Sequence, residues 1–178
     1  MHAEAKAHVP LPVPAAWQRL ADLSALSQWA PDVAGSPAEA IRPGATRWAR
    51  LYEPTYGKDV LIERITDVDP RRHTFSYDIE GGIGPLAAIR TTWSVAPADG
   101  GSGSTVTVSS EITLTGSARF VPFLVKRAWT RQLQDLVDGF AKWAGRLQGD
   151  VEVMDGPQQD LAPAEAKPRK AKAVARRR

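Results

Sequence analysis

The sequence predicts an α+β domain in which a curved antiparallel sheet wraps around a long C-terminal helix, with two short helices after the first strand. Three observations carry this prediction. Between Thr46 and Thr115, five segments of strand character are separated by short clusters of turn residues. After them, apolar residues recur every three or four positions from Val125 to Leu147. The 178 residues are enough for one ordinary domain, which can bury roughly two-thirds of its unfolded surface, but leave little room for a second.

The first strand is read from Glu4, Lys6 and His8 alternating with Ala5, Ala7 and Val9, the period of a strand with one buried face. Pro10, Pro12 and Pro14 end it. Ala15 to Leu23 places Trp17, Leu20, Ala21 and Leu23 on one side of a short helix, with Pro14 suited to its first turn. Ser24 is the expected N-cap of a second helix running to Trp29, stopped by Pro31. A weak strand is expected near Val33 to Ile41. Beyond the Pro43-Gly44 turn the expected strands are Thr46 to Glu53, Asp59 to Val68, His73 to Glu80, Leu86 to Ala96 and Thr105 to Thr115. Their short connections imply an antiparallel meander. The long helix is predicted from Val121 to Leu147 with Pro122 in its first turn. Val125, Trp129, Leu133, Leu136, Phe140, Ala144 and Leu147 form its apolar face, and the concave side of the sheet is the one surface large enough to cover it.

The domain is expected to span residues 1–150. Residues 151–178 are expected to form a disordered tail rich in Ala, Pro, Lys and Arg, with too few large apolar side chains to offset the entropy of ordering. Charge divides along the same line. The whole chain carries +3, but Glu165 to Arg178 holds seven bases and one acid, so residues 1–164 carry a net −3. The basic character belongs to the tail and does not argue for a nucleic-acid-binding domain surface. The absence of cysteine excludes disulfides and thiolate chemistry and leans towards a reducing compartment. No apolar run approaches the roughly 18 residues of a membrane span, and the first residues lack the pattern of a signal peptide, so a cytoplasmic protein is expected. His2, His8 and His73 are scattered, so neither a metal site nor another cofactor is expected. Gly81-Gly82-Ile83-Gly84-Pro85 does not lead into a helix, and reads as a mobile loop rather than a phosphate cradle.

Several local strings add to the pattern: Val13-Pro14-Ala15-Ala16-Trp17, Trp29-Ala30-Pro31, Pro43-Gly44-Ala45-Thr46-Arg47, Glu63-Arg64-Ile65 with Asp69-Pro70, and Tyr77-Asp78-Ile79-Glu80-Gly81-Gly82. In this order and spacing, from about Ala3 to Leu147, they resemble the START-like helix-grip superfamily. That superfamily includes polyketide cyclase/dehydrase-type proteins, plant abscisic acid receptors and birch-pollen-allergen-like proteins. The resemblance implies an internal cavity between sheet and helix. The receptors' gate and latch sequences are missing here, which argues against abscisic acid sensing. The fold itself hosts carriers, receptors and enzymes, so it does not choose among them.

Parity assigns the cavity side of the clearer strands. Val106, Val108, Ser110, Ile112 and Leu114 face inward on the last strand, Ile89, Thr91, Trp93 and Val95 on the one before, and Phe75, Tyr77 and Ile79 on the one before that. In the two earlier strands Val60, Ile62 and Val68 compete with Leu61, Glu63 and Ile65. The resemblance turns Leu61, Glu63 and Ile65 inward, and with them Arg47, Ala49 and Leu51. A hairpin turning near Thr55 would then set Arg47 opposite Glu63.

The candidate catalytic residues are Glu63 and Arg47. The candidate ligand-binding residues are Ala49, Leu51, Leu61, Tyr77, Ile89, Thr91, Trp93, Ser110, Trp129 and Leu133. Apolar walls with a few orienting polar groups are the usual design of a small-molecule site. The plainer alternative is that Arg47 and Glu63 only neutralise each other as a buried pair. For Trp17, Trp29, Trp93, Trp129 and Trp143, packing is the plainer role, with Trp93 and Trp129 placed to line a cavity. Two functions follow. One is binding of a hydrophobic small molecule, such as a lipid, polyketide or aromatic metabolite, by a carrier or sensor. The other is cyclase/dehydrase chemistry with Glu63 as base and Arg47 or Tyr77 stabilising an enolate. The basic tail is read first as a solubilising end and second as a weak docking segment for anionic membrane or nucleic acid. A monomer and a homodimer are both compatible with the sequence.

Overall fold

The computed structural model describes residues 1–37, 41–55, 58–84 and 86–154. Strand β1 (His2–Val9) alternates as its sequence requires, with Ala3, Ala5 and Val9 buried and His2, Glu4, Lys6 and His8 exposed. Helix α1 (Val13–Ala21) carries Pro14 in its first turn, where a missing N–H costs nothing, and buries Ala16 and Leu20. A 3₁₀ turn (Leu23–Ala25) leads into the one-turn helix α2 (Leu26–Trp29). Ser24 is not the cap expected for this segment. The Asp22 carboxylate, one residue outside the turn, accepts hydrogen bonds from the Ser24 amide at 3.1 Å and from its hydroxyl.

Six strands follow: β2 (Val33–Gly35), β3 (Thr46–Thr55), β4 (Lys58–Asp69), β5 (Thr74–Ile79), β6 (Leu86–Pro97) and β7 (Ser104–Leu114). They run in sequence order as an antiparallel meander, and β1 closes the other edge by pairing with β7, giving the order β1-β7-β6-β5-β4-β3-β2. A second 3₁₀ turn (Gly116–Phe120) precedes helix α3 (Pro122–Met154), which continues past the expected end at Leu147. The side chain of Leu147, the predicted tail from residue 155 onwards, and residues 38–40 of the weak strand predicted over Val33 to Ile41 lie outside the described residues.

The core lies between the concave face of the sheet and the three helices. Phe140 sits at its centre, with Trp29 edge-on at 5.3 Å and Trp143 at 5.9 Å between ring centroids. Helix α3 uses its two halves differently. Leu133, Val137, Phe140, Trp143 and Ala144 are buried against β1, β7 and α2. Burial of a large apolar side chain contributes roughly 1.5–3 kcal/mol each, so these anchor the helix. Before Leu133 no residue of α3 is fully buried. The first half of the helix stands away from β3, β4 and β5, and the space beneath it becomes the site.

Candidate ligand-binding site

The β3–β4 register places Arg47 opposite Glu63 and Ala49 opposite Leu61, as the hairpin reading expected. Glu63 and Ile65 are buried, whereas Ile62 and Arg64 face solvent. The register shifts between Ile65 and Asp67, so Val68 pairs with Phe75 and turns back onto the core. This bulge explains why the sequence of β4 offered two competing inner faces: each is used on one side of it.

Arg47 and Glu63 form an ion pair with each residue only 5% exposed. The Arg47 guanidinium also lies over the Tyr77 ring, 5.1 Å from its centroid. Tyr77, Thr91 and Ser110 occupy one cross-strand row, and Thr91 and Ser110 share a hydroxyl hydrogen bond of 3.0 Å. Burial pushes the Glu63 carboxyl above the ordinary carboxylate range, while the charge and hydrogen bond of Arg47 pull it down without cancelling the rise. Burial, then the neighbouring Glu63 charge, pushes the Tyr77 phenol up to about 12, against the pull of Arg47 and of hydrogen bonds with Trp93 and Thr91. Tyr77 is therefore a neutral phenol throughout the physiological range.

Arg47, Glu63, Tyr77 and Thr91 border an inner cavity of about 80 Å³. Its wall includes Arg47, Ala49, Leu51, Leu61, Glu63, Tyr77, Thr91, Trp93, Trp129 and Leu133, all of which the sequence singled out. The two other predicted positions, Ile89 and Ser110, do not line it. Both face inward as parity requires, but Ile89 lies at the far end of the sheet, beside an open groove bordered by the Asp78–Arg90 ion pair. Ser110 is one strand further from the cavity than Thr91 and its hydroxyl is bonded to that residue. Residues that the sequence reading missed are Leu23, Leu26, Trp29, Ala30, Asp32 and Val33 around α2, Ile83, and Gln132 and Leu136 on α3. Trp129, Gln132, Leu133 and Leu136 follow an i, i+3, i+4, i+7 spacing on α3, so the helical period carried a signal for Gln132, whereas Ala30 and Val33 lie beyond the end of α2 and no single period links them to Leu26 and Trp29.

Ile83 belongs to the glycine-rich segment expected to be a mobile loop. It is buried, pairs with Leu86, and lines the cavity. Lys58 ties the segment to β4 by donating to the Gly82 carbonyl at 2.6 Å and the Gly81 carbonyl at 3.2 Å. Gly82 has φ +60°, and a Cβ there would fall 2.1 Å from the Leu86 carbonyl oxygen, so this approach requires glycine. Outside the inner cavity an open vestibule of about 340 Å³ is bordered by Leu51, Leu61, Ile83, Leu124, Trp129 and Gln132. Trp129 lines both spaces.

Four buried donor nitrogens on residues of the cavity wall have no protein acceptor among the described residues: Nε and Nη1 of Arg47, and Nε1 of Trp29 and of Trp129. Buried N–H groups left this way cost roughly 1–3 kcal/mol each, so an acceptor-bearing ligand or water in the cavity would relieve a definite penalty. Among the described residues no cluster of three or more His, Asp or Glu could hold a metal ion.

The sequence of residues 1–144 matches the family model described as polyketide cyclase / dehydrase and lipid transport. Among solved structures, the fold is similar to TTHA0849 from Thermus thermophilus, at 20% identity and TM-score 0.63, covering 80% of this chain and 95% of that one. It is similar to the Zhui aromatase/cyclase from Streptomyces sp. R1128, at 16% identity and TM-score 0.61, covering 82% and 94%. It is also similar to the di-domain ARO/CYC BexL of the BE-7585A biosynthetic pathway, at 16% identity and TM-score 0.67, covering 88% of this chain and 48% of that one. At such identities the likeness shows the fold alone. No curated protein matches the chain in sequence.

Proposed function

The chain belongs to the polyketide cyclase / dehydrase and lipid transport family, and on that basis we propose that it binds a hydrophobic small molecule whose carbonyl or carboxylate end lodges beside Arg47, as a carrier or sensor. The observation that carries this reading is the group of unpartnered donor nitrogens at the inner cavity, on Arg47, Trp29 and Trp129; the one unbonded acceptor beside them, Glu63 Oε2, already faces Arg47 in the ion pair. Such a set selects an acceptor on the ligand, because arginine and indole nitrogens have no acceptor capacity. Apart from Asp32, Glu63, Tyr77, Thr91 and Gln132 the rest of the wall is apolar, and suits a lipid, polyketide or aromatic metabolite. The inner cavity alone is smaller than the roughly 300–1,000 Å³ of drug-sized sites. It suits the polar end, with the apolar body in the adjoining vestibule of about 340 Å³.

Calorimetric titration with matched pairs of ligands tests the reading. A long-chain fatty acid or an aromatic ketone is expected to bind at least about tenfold more tightly than the hydrocarbon of the same shape. Arg47→Gln is expected to erase that difference. Equal affinity within each pair, or no binding by either member, overturns it.

A second reading is favoured by the raised Glu63 carboxyl, since a general base works best when its pKa lies near the operating pH. In it the protein promotes an intramolecular aldol closure of the cyclase kind. The Glu63 carboxylate takes a proton from the carbon between two ketones, and the enolate oxygen is stabilised by Arg47 or by the Tyr77 hydroxyl. The enolate carbon then attacks a second ketone of the same chain, whose oxygen gains the proton as an alcohol. Loss of water completes a dehydration. Glu63→Gln is expected to lower turnover of a poly-β-ketone analogue by about 10²-fold or more while ligand affinity changes little. Unchanged turnover would remove Glu63 from the reaction.

A further inference from the structure

The turn before α3 and its first two helical turns form an apolar crown that the protein itself does not cover. Phe120 is 86% exposed, Phe123 72% and Leu124 60%, with Val121 beside them. Exposed large apolar side chains are common singly, but a contiguous group of four marks an interaction surface. Arg119, Lys126, Arg127 and Arg131 surround it, all of them exposed. No acidic residue occurs from Ile112 to Gln134, although residues 1–164 as a whole carry a net −3. Leu124 also borders the vestibule that opens onto the inner cavity.

We propose that this crown docks the protein on a bilayer containing anionic lipid, with Phe120, Phe123 and Leu124 inserted among the headgroups and the four bases against the lipid phosphates. Charge complementarity selects this occupant. A second copy of the chain placed symmetrically on the crown would bring Arg119, Lys126, Arg127 and Arg131 against their own equivalents, four bases on each copy with no acid between Ile112 and Gln134 and only Asp32 beside the adjoining vestibule to compensate. A groove partner is also disfavoured by shape, because the two phenylalanines protrude rather than line a pocket. Protruding aromatics ringed by bases suit the interface of a negatively charged membrane, where apolar insertion and attraction to anionic headgroups add. Docking this way sets the vestibule at the membrane surface, so that an apolar ligand could pass into the cavity without crossing bulk water. The docking does not depend on which molecule the cavity holds.

Cosedimentation of the full chain with phosphatidylcholine vesicles, with and without about one-third phosphatidylserine, tests the inference. The unsubstituted chain is expected to bind the anionic vesicles and to leave them as salt rises. The F120S/F123S/L124S variant is expected to lose at least about tenfold in partitioning. A full-length variant with the tail bases Lys170, Lys172, Arg176, Arg177 and Arg178 changed to Gln is expected to retain most of its binding. Changes at exposed positions usually alter stability by less than about 0.5 kcal/mol, and circular dichroism with an unfolding midpoint checks the fold. Should the apolar variant fail to fold, K126Q/R127Q/R131Q is expected to abolish the preference for phosphatidylserine. The inference is overturned if the unsubstituted chain ignores the vesicles, or if only the tail variant loses binding. It is equally overturned if the chain is a dimer that the crown substitutions convert to a monomer.

Discussion

Arg47 and Glu63 face each other across β3 and β4 with almost no access to solvent, so neither can lose the other without leaving a buried charge. Breaking such a pair from one side typically costs about 3–5 kcal/mol, whereas replacing both partners by apolar residues of similar volume is often neutral or stabilising. Arg47→Ala is therefore expected to lower stability by roughly 3 kcal/mol, and R47M/E63L to restore it, as read by urea unfolding of the two single variants and the double. If the double variant stays stable but loses ligand affinity, the pair serves binding rather than folding. Tyr77 makes a second prediction, in pH. Its phenol titrates at about 12 in the folded protein against 10.0 for an ordinary tyrosine. Between those values the folded state holds a proton that the unfolded chain has released, so stability is complete below pH 10 and declines through 12. That window is worth roughly 3 kcal/mol, and Tyr77→Phe is expected to flatten it in denaturant titrations across the same range. The inward parity of Tyr77 could be read from the alternation of its own strand, whereas that of Arg47 and Glu63 was implied by the resemblance to the helix-grip superfamily. The donors that Arg47 leaves free could be read from neither, because they depend on which atoms the neighbouring strands bring within reach.

Helix α3 is where sequence pattern and packing diverge within one element. The apolar stripe was legible from Val125 to Leu147, yet of its described side chains only those from Leu133 onwards are pressed onto the core, while Val125 and Trp129 border open space. Two glycines on that half behave oppositely. A Cβ at Gly139 would sit 2.2 Å from the Trp29 carbonyl oxygen, a backbone atom of α2 that has no flexible end to move aside. Gly139→Ala is expected to cost about 1–3 kcal/mol by forcing α2 and α3 apart, and to weaken ligand binding because Trp29 lines the cavity. At Gly145 the nearest atom, on the Pro10 ring, is at 3.6 Å, an ordinary contact. Gly145→Ala is expected to stabilise by up to about 1 kcal/mol through helix propensity. Chemical unfolding midpoints of the two variants should move in opposite directions. Nothing in the sequence distinguishes these glycines, since the crossing point of α2 and α3 is set by residues more than a hundred positions apart.

In the whole molecule, the inner cavity and the vestibule share wall residues, Trp129 among them with Leu51, Leu61, Ile83 and Gln132. Trp129→Ala is expected to widen the passage between the two spaces, raising uptake of a fluorescent apolar dye several-fold at a stability cost of about 2 kcal/mol. Unchanged dye binding would mean that the two spaces do not communicate there. Among the described residues no helix is long and apolar enough to cross a membrane. Residue order alone was enough for the succession of strands, their inner faces outside β3 and β4, and the long helix that they grip. These follow from the periods of strand and helix, which are properties of the local backbone and survive in any tertiary setting. It took the packed molecule to place Ile89 and Ser110 outside the cavity and Ile83 inside it, and to leave the first turns of α3 uncovered. A cavity is the gap between surfaces supplied by distant segments, so its position depends on where they fail to meet, and no local pattern records that.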